Sequence, residues 1–224
     1  MNNRRVLAPL VLLVAAALAC SPSSSLPSLP ASTTLYKDSF GDTNSGWCSD
    51  STSSSSLDYS GGEYVFKVKV PNWFVWCNPG QNFGDIHVEV TAKNVGKTAD
   101  TIFGIICNDQ KASEQANEDL YYLGFSQDGH YTITLTKGGN DTVLAKGMSA
   151  AIASNAVSYT VGADCGGGHL ALYANGTKIA SASDASYTTG DVGLFAWTGD
   201  NAPAEVHYDD IVVTKLDGGA TPTP

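Results

Sequence analysis

The sequence predicts an all-β domain over residues 35–216, a two-sheet antiparallel sandwich, and three observations carry that expectation. Apolar residues recur at every second position in run after run, the period of strands with one buried face. No segment of a dozen residues keeps a helical repeat. The runs are separated by Gly- and Asn-rich turn signals at hairpin spacing, which about a dozen strands in two packed sheets would produce.

Each run can be justified in turn. Glu63–Val70 alternates with Lys67 and Lys69 outward, and Asp85–Thr91 places Ile86, Val88 and Val90 on one face; both read as half-exposed antiparallel strands. Further runs are Thr101–Cys107, Tyr121–Ser126, Tyr131–Lys137, Ser158–Asp164, His169–Ala174, Lys178–Ala182, Asp191–Trp197 and Val206–Thr214. Asp128-Gly129 and Asn175-Gly176 read as two-residue hairpin turns needing positive φ, and residues 138–140 and 166–168 as longer ones. Residues 111–119 read as a polar loop or single helical turn, and residues 217–224 as a disordered tail.

The chain has 224 residues, 42% of them hydrophobic and 15% charged, enough apolar material for a packed core. Both arginines, Arg4 and Arg5, lie in the leader, so the remainder sets ten lysines against 22 acidic residues, a net charge of −12. Nucleic-acid binding is excluded as a function class, because nothing basic offsets phosphate repulsion. The missing arginines also remove the usual bidentate clamp for phosphate and carboxylate ligands.

Residues 1–19 read as an export signal: a positive n-region ending at Arg5, an apolar run Val6–Leu18 and the small-residue boundary Ala17–Ala19. The boundary resembles a bacterial lipobox with Cys20 as the lipidated residue, although Leu18 stands two places before the cysteine rather than three. Free secretion after ordinary signal-peptidase cleavage is the alternative. The cysteine count favours the lipid anchor, since five cysteines in an exported chain leave one over once pairs form. Residues 20–34, rich in Ser and Pro, then act as a tether that lifts the domain off the membrane.

The other four cysteines are expected to pair as Cys48 with Cys77 and Cys107 with Cys165. Cys107 and Cys165 each end a strand run, at edges that can adjoin, and Cys48 and Cys77 each follow a tryptophan. Export makes pairing the default.

The segments Leu170–Ala180, Gly190–Ala196 and Val206–Val213 look like the closing half of a concanavalin A-like (laminin G-like) jelly roll. The opening Asp38–Trp47 is similar to the first strand of the same superfamily, including its 3-keto-disaccharide hydrolase-like and glycoside hydrolase 16-like branches. The resemblance spans the domain and implies a two-sheet antiparallel jelly-roll sandwich. With the lipobox and tether, it also implies an envelope-anchored or extracellular bacterial lipoprotein.

The chemistry of the enzymatic branch is not legible. Retaining family 16 enzymes alternate acids as Glu-x-Asp-x-(x)-Glu along one strand, which places nucleophile and acid/base on one face. None of the five glutamates stands in that pattern: Glu89 lacks a partner two residues on, Glu114 and Glu118 lie in the polar loop, and Glu205 precedes the last run. Asp128, Asp141, Asp184 and Asp200 read as turn formers, and the four histidines show neither triad order nor zinc spacing.

Aromatic residues are the remaining signal. Trp73, Phe74 and Trp76 crowd four positions, so strand alternation sends Trp73 to one face and Phe74 and Trp76 to the other. Trp73 and Trp76 are expected to present at least one ring to a sugar, with Tyr121, Tyr122, Asn108, Asp109 and Gln110 adding polar contacts by fold analogy. The plainer alternative is that Trp47, Trp76 and Trp197 fill the core. A domain of this charge favours neutral or cationic glycans. A calcium ion is expected, by the same resemblance, between Asp38, Gly41 and Asp42 of the opening loop and Asp209 and Asp210 of the last strand; the alternative is that one of the two adjacent aspartates marks a β-bulge.

The functional expectation is therefore a surface-anchored, non-catalytic glycan-binding or adhesion module. The alternatives are a 3-keto-glycoside hydrolase or other carbohydrate-active enzyme, and a purely structural envelope module.

Overall fold

The structure, a computed structural model, describes residues 33–216 except Lys97, residues 111–117 and Asn155. The signal peptide, Cys20, nearly all of the tether, most of the 111–119 loop and the tail at 217–224 lie outside the described residues. The first half of the domain contributes β1 (Thr34–Asp38), β2 (Asp50–Ser51), β3 (Ser55–Ser60), β4 (Glu63–Val68), β5 (Phe74–Cys77), β6 (Asn82–Phe83), β7 (Ile86–Asn94) and β8 (Ile102–Asp109). The second half contributes β9 (Leu120–Ser126), β10 (His130–Lys137), β11 (Asn140–Met148), β12 (Tyr159–Gly166), β13 (His169–Ala174), β14 (Thr177–Ser183), β15 (Gly190–Trp197) and β16 (Ala204–Lys215).

Two antiparallel sheets result. The first runs β14-β13-β12-β7-β16-β4-β3-β2, with β1 beside β16; the second runs β11-β10-β9-β8-β15-β5, with β6 beside β15. Period-two alternation aims one face of each sheet at the other. Ile86, Val88 and Val90 of β7 thus meet a core that also holds Phe103 and Ile105 of β8 and Leu123 and Phe125 of β9.

Both disulfides form as expected, Cys48–Cys77 and Cys107–Cys165. The second joins β8 of one sheet to β12 of the other at positions with no solvent exposure. Tyr208 of β16 makes a second inter-sheet link. Its hydroxyl donates to the Phe195 carbonyl at 2.5 Å and accepts from the Gly104 amide at 3.1 Å.

The last strand carries the bulge that the aspartate pair suggested. Register against β7 shifts between Asp209 and Val212, and Asp210 sits at φ 50°. The extra residue lets Tyr208 and Ile211 both face the core.

Several local expectations are corrected. The turns at 138–139 and 167–168 are two-residue turns, each with both glycines at positive φ, rather than longer loops. The Asp128-Gly129 turn is a three-residue connection in which only Gly129 has positive φ. β11 was missed because its residues are exposed or half-exposed and its apolar residues, Val143, Leu144, Ala145 and Met148, do not alternate.

Candidate functional site

The outer face of the second sheet holds the site. Here the pleat brings up residues that on most half-exposed sheets would be polar. Trp76, Ile106, Leu120 and Phe195 form a second buried cluster, with Phe74, Ile102, Tyr122 and Trp197 packed on it half-buried. Glycine makes the floor possible: a Cβ at Gly124 would stand 2.7 Å from the tip of the Phe195 ring, so the ring reaches over this strand only because the backbone there is bare. Phe74 stacks on Phe195 with centroids 5.2 Å apart, and Tyr122 meets Phe195 edge-on at 5.4 Å.

This platform opens into a groove of about 1110 Å³, whose floor includes Phe74, Ile102, Tyr122 and Trp197 and whose wall includes Val143 and Met148 of β11. Its volume suits a short oligosaccharide or a comparable ligand. Thr132, Thr134 and Thr136 alternate along β10 beside the aromatics, and the first two hydroxyls are 2.8 Å apart. The Asp141 carboxylate accepts from Thr136 at 2.7 Å and from the Tyr122 hydroxyl at 2.9 Å. Burial pushes the Tyr122 hydroxyl above its ordinary pKa, so it stays a neutral donor.

Trp73 stands just before β5 and is 42% exposed. Thr198, fully buried at the end of β15, fixes it: the Thr198 hydroxyl accepts from the Trp73 amide at 3.2 Å and donates to the Val70 carbonyl at 2.8 Å.

Two of the expected sugar contacts are corrected. Trp76 is 6% exposed and packs beneath the outer-face platform instead of presenting a ring. Tyr121 is fully buried in the inter-sheet core, where its hydroxyl donates to Asp184 at 2.5 Å, because odd positions of β9 face inward. Trp47 is a core residue, as the plainer alternative had it, whereas Trp197 lines the groove. Asn108, Asp109 and Gln110 lie away from the groove lining.

Asp109 and Asp191 sit opposite each other across β8 and β15, both nearly buried, and the Asn78 amide donates to Asp109 at 2.8 Å. Burial raises the Asp191 carboxyl above the usual range. Neither lines the groove.

The calcium residues are engaged locally. The Asp38 carboxylate accepts from the Phe40 amide at 2.8 Å and, through its other oxygen, from Trp47 Nε1 at 3.0 Å and the Tyr36 hydroxyl at 3.2 Å. Asp42 closes a turn onto the Asn44 amide at 2.9 Å, with Gly41 beside it. Asp209 and Asp210 make the bulge. Among the described residues no group of three His, Cys, Asp or Glu side chains is placed to hold a metal.

Sequence reasoning also missed two histidine networks on the outer face of the first sheet. His87 lies between Asp164 at 2.6 Å and Glu89 at 3.4 Å, and Asp164 also accepts from the Tyr173 hydroxyl at 2.5 Å. His207 lies between Glu63 at 2.5 Å and Glu205 at 2.8 Å, with Lys93 also on Glu63. Both nitrogens of each ring thus face carboxylate oxygens. The hydrogen bond to Asp164 raises the His87 pKa, and hydrogen bonds from Lys93 and His207 lower that of Glu63. The first network follows from the register of β7 on β12, which sets His87 opposite Asp164, a pairing that no local pattern in the sequence announces.

No protein-family model matches the chain, and no curated protein matches it in sequence. Solved structures do match in shape. The carbohydrate binding module CBM66 from Bacillus subtilis superposes with a TM-score of 0.53 at 14% identity, over 76% of this chain and 96% of that one. The Bacillus licheniformis beta-glucanase gives 0.60 at 14% identity over 83% and 99%, and a galectin-like protein of unknown function from Bacillus subtilis gives 0.61 at 13% over 82% and 96%. Two antiparallel sheets in this order, matched along nearly the whole length of each of these structures, show the fold of the domain: a two-sheet antiparallel jelly-roll sandwich.

Proposed function

We propose that this domain is a non-catalytic carbohydrate-binding module, exported and held at the bacterial envelope by a lipid on Cys20. The groove on the outer face of the second sheet carries the reading: an aromatic platform of Phe74, Tyr122 and Trp197 flanked by hydroxyl and carboxylate side chains. Apolar C–H faces of a sugar ring stack on such a floor while its hydroxyls meet the polar flank. A carbohydrate-binding module and a beta-glucanase among the shape neighbours support a glycan as the ligand. The non-catalytic part is supported by the carboxylate that touches the floor, Asp141, which is held by the Thr136 and Tyr122 hydroxyls, and by the threonines that flank the rings.

Affinity electrophoresis of the soluble domain through a panel of polysaccharides tests this. Retardation is expected with at least one polysaccharide, and Trp197→Ala should abolish it, while Trp76→Ala should cost roughly 3–5 kcal/mol of stability, the loss typical of a buried Trp. Absence of retardation by every polysaccharide overturns the binding reading. Release of reducing sugar from the retarding polysaccharide overturns its non-catalytic part. For the anchor, palmitate labelling in a bacterial host should be lost in Cys20→Ala, and unchanged labelling would refute lipidation.

A further inference from the structure

The charge around the groove deepens this reading by naming the class of glycan, and so rests on it. The lining carries five carboxylates, Asp100, Glu118, Asp128, Asp141 and Asp200, against Lys146 and His130. His130 is already spent on Asp128, at 3.0 Å. Carboxylates that merely solubilise a surface are usually scattered among lysines, whereas these face a cavity with an aromatic floor.

Asp100 and Asp200 line the groove together with Phe74 and Trp197. Asp200 belongs to the connection after β15 that also holds Thr198 and Gly199, and the Asn72 amide nitrogen donates to the Gly199 carbonyl at 2.7 Å. The two carboxylates are oriented by amides and not by cations: Asn201 Nδ2 donates to Asp100 at 2.8 Å, and Asn72 Nδ2 to Asp200 at 3.3 Å. Among the described residues no lysine or histidine pairs with either.

An aromatic face next to oriented, uncompensated carboxylates suits a group that is apolar on one side and cationic on another. A neutral hexose satisfies only the first condition, and a uronate or sulfated sugar is repelled. A protonated amino sugar satisfies both. We propose that the groove selects polysaccharides bearing free amino groups, with Asp100 and Asp200 receiving an ammonium group while the ring stacks on Trp197.

Chitosan, its fully re-acetylated form and a neutral β-glucan of similar length serve as probes, with dissociation constants measured by titration at low and high salt. Two partly exposed ion pairs predict about tenfold tighter binding of chitosan than of the re-acetylated polymer. The preference should collapse at high salt and in the double variant Asp100→Asn/Asp200→Asn, whose melting temperature should match wild type. A variant of Asp42, an exposed acid away from the groove, should retain the preference. Equal affinity for the charged and re-acetylated polymers, or binding of the neutral glucan alone, overturns the amino-sugar inference and leaves the glycan-binding reading intact. If no polysaccharide binds, both fall.

Discussion

Removing the inter-sheet disulfide is the perturbation whose magnitude follows most directly from the fold. Cys107 and Cys165 are 58 residues apart in sequence and fully buried. Closing a loop of that length reduces the entropy of the unfolded chain, in the chain-entropy model, by an amount worth about 4 kcal/mol at 25 °C. The Cys48–Cys77 bridge closes a separation of 29 residues, which the same relation puts at about 3.5 kcal/mol. The Cys107→Ala/Cys165→Ala variant should therefore lose roughly 8–16 °C of melting temperature, at about 2–4 °C per kcal/mol for a domain of this size. Alanine is chosen because serine would bury an unpaired hydroxyl. Differential scanning calorimetry and urea titration of both double variants are the assays, and the Cys48–Cys77 variant should lose about half a kcal/mol less. A loss under 1 kcal/mol on removing the 107–165 bridge would refute the argument, since it would mean that the unfolded chain is already held compact without it.

Three other outcomes are expected. Tyr208→Phe should cost about 1–3 kcal/mol in urea denaturation, because it takes a buried partner from the Phe195 carbonyl and the Gly104 amide; a neutral effect would show that water replaces the hydroxyl. Because the folded pKa of His87 is raised above its unfolded value near 6.5, its contribution is full below that pH and is lost as pH rises through the folded pKa; His87→Gln should flatten that part of the melting-temperature profile, and an unchanged slope would assign the dependence elsewhere. Chelation with EDTA tests the calcium expected at Asp38, Gly41, Asp42, Asp209 and Asp210: a fall in melting temperature that added calcium reverses would place the ion there, and an unchanged melting temperature at low free calcium would refute the site.

Much of the fold is written in local alternation. The strands from β7 to β10 and from β12 to β16, and the turn at Asn175-Gly176, were legible because a two-residue period or a positive-φ dipeptide is a property of neighbours in sequence. The cysteine pairing was legible because few pairings of strand-end positions are open to an exported chain. β2, β3, β6 and β11 were not, being too short, too polar or, in β11, without alternation of their apolar residues.

The candidate site was legible only in its residue type. That aromatics mattered could be read from Trp73, Phe74 and Trp76, but which rings reach a ligand depends on which sheet face each strand turns outward and on what lies across it. Trp76 is covered by the cluster with Ile106, Leu120 and Phe195, and Tyr121 faces the core, one position from Tyr122 in the groove. Trp197 comes level with Phe74 and Ile102 only through the register of β15 between β5 and β8. Asp100 and Asp200, about a hundred residues apart, likewise meet the same groove only once the sheet has formed. Periodicity records which residues share a face along one strand; pairing between distant strands, which depends on long-range packing, decides what those faces build together.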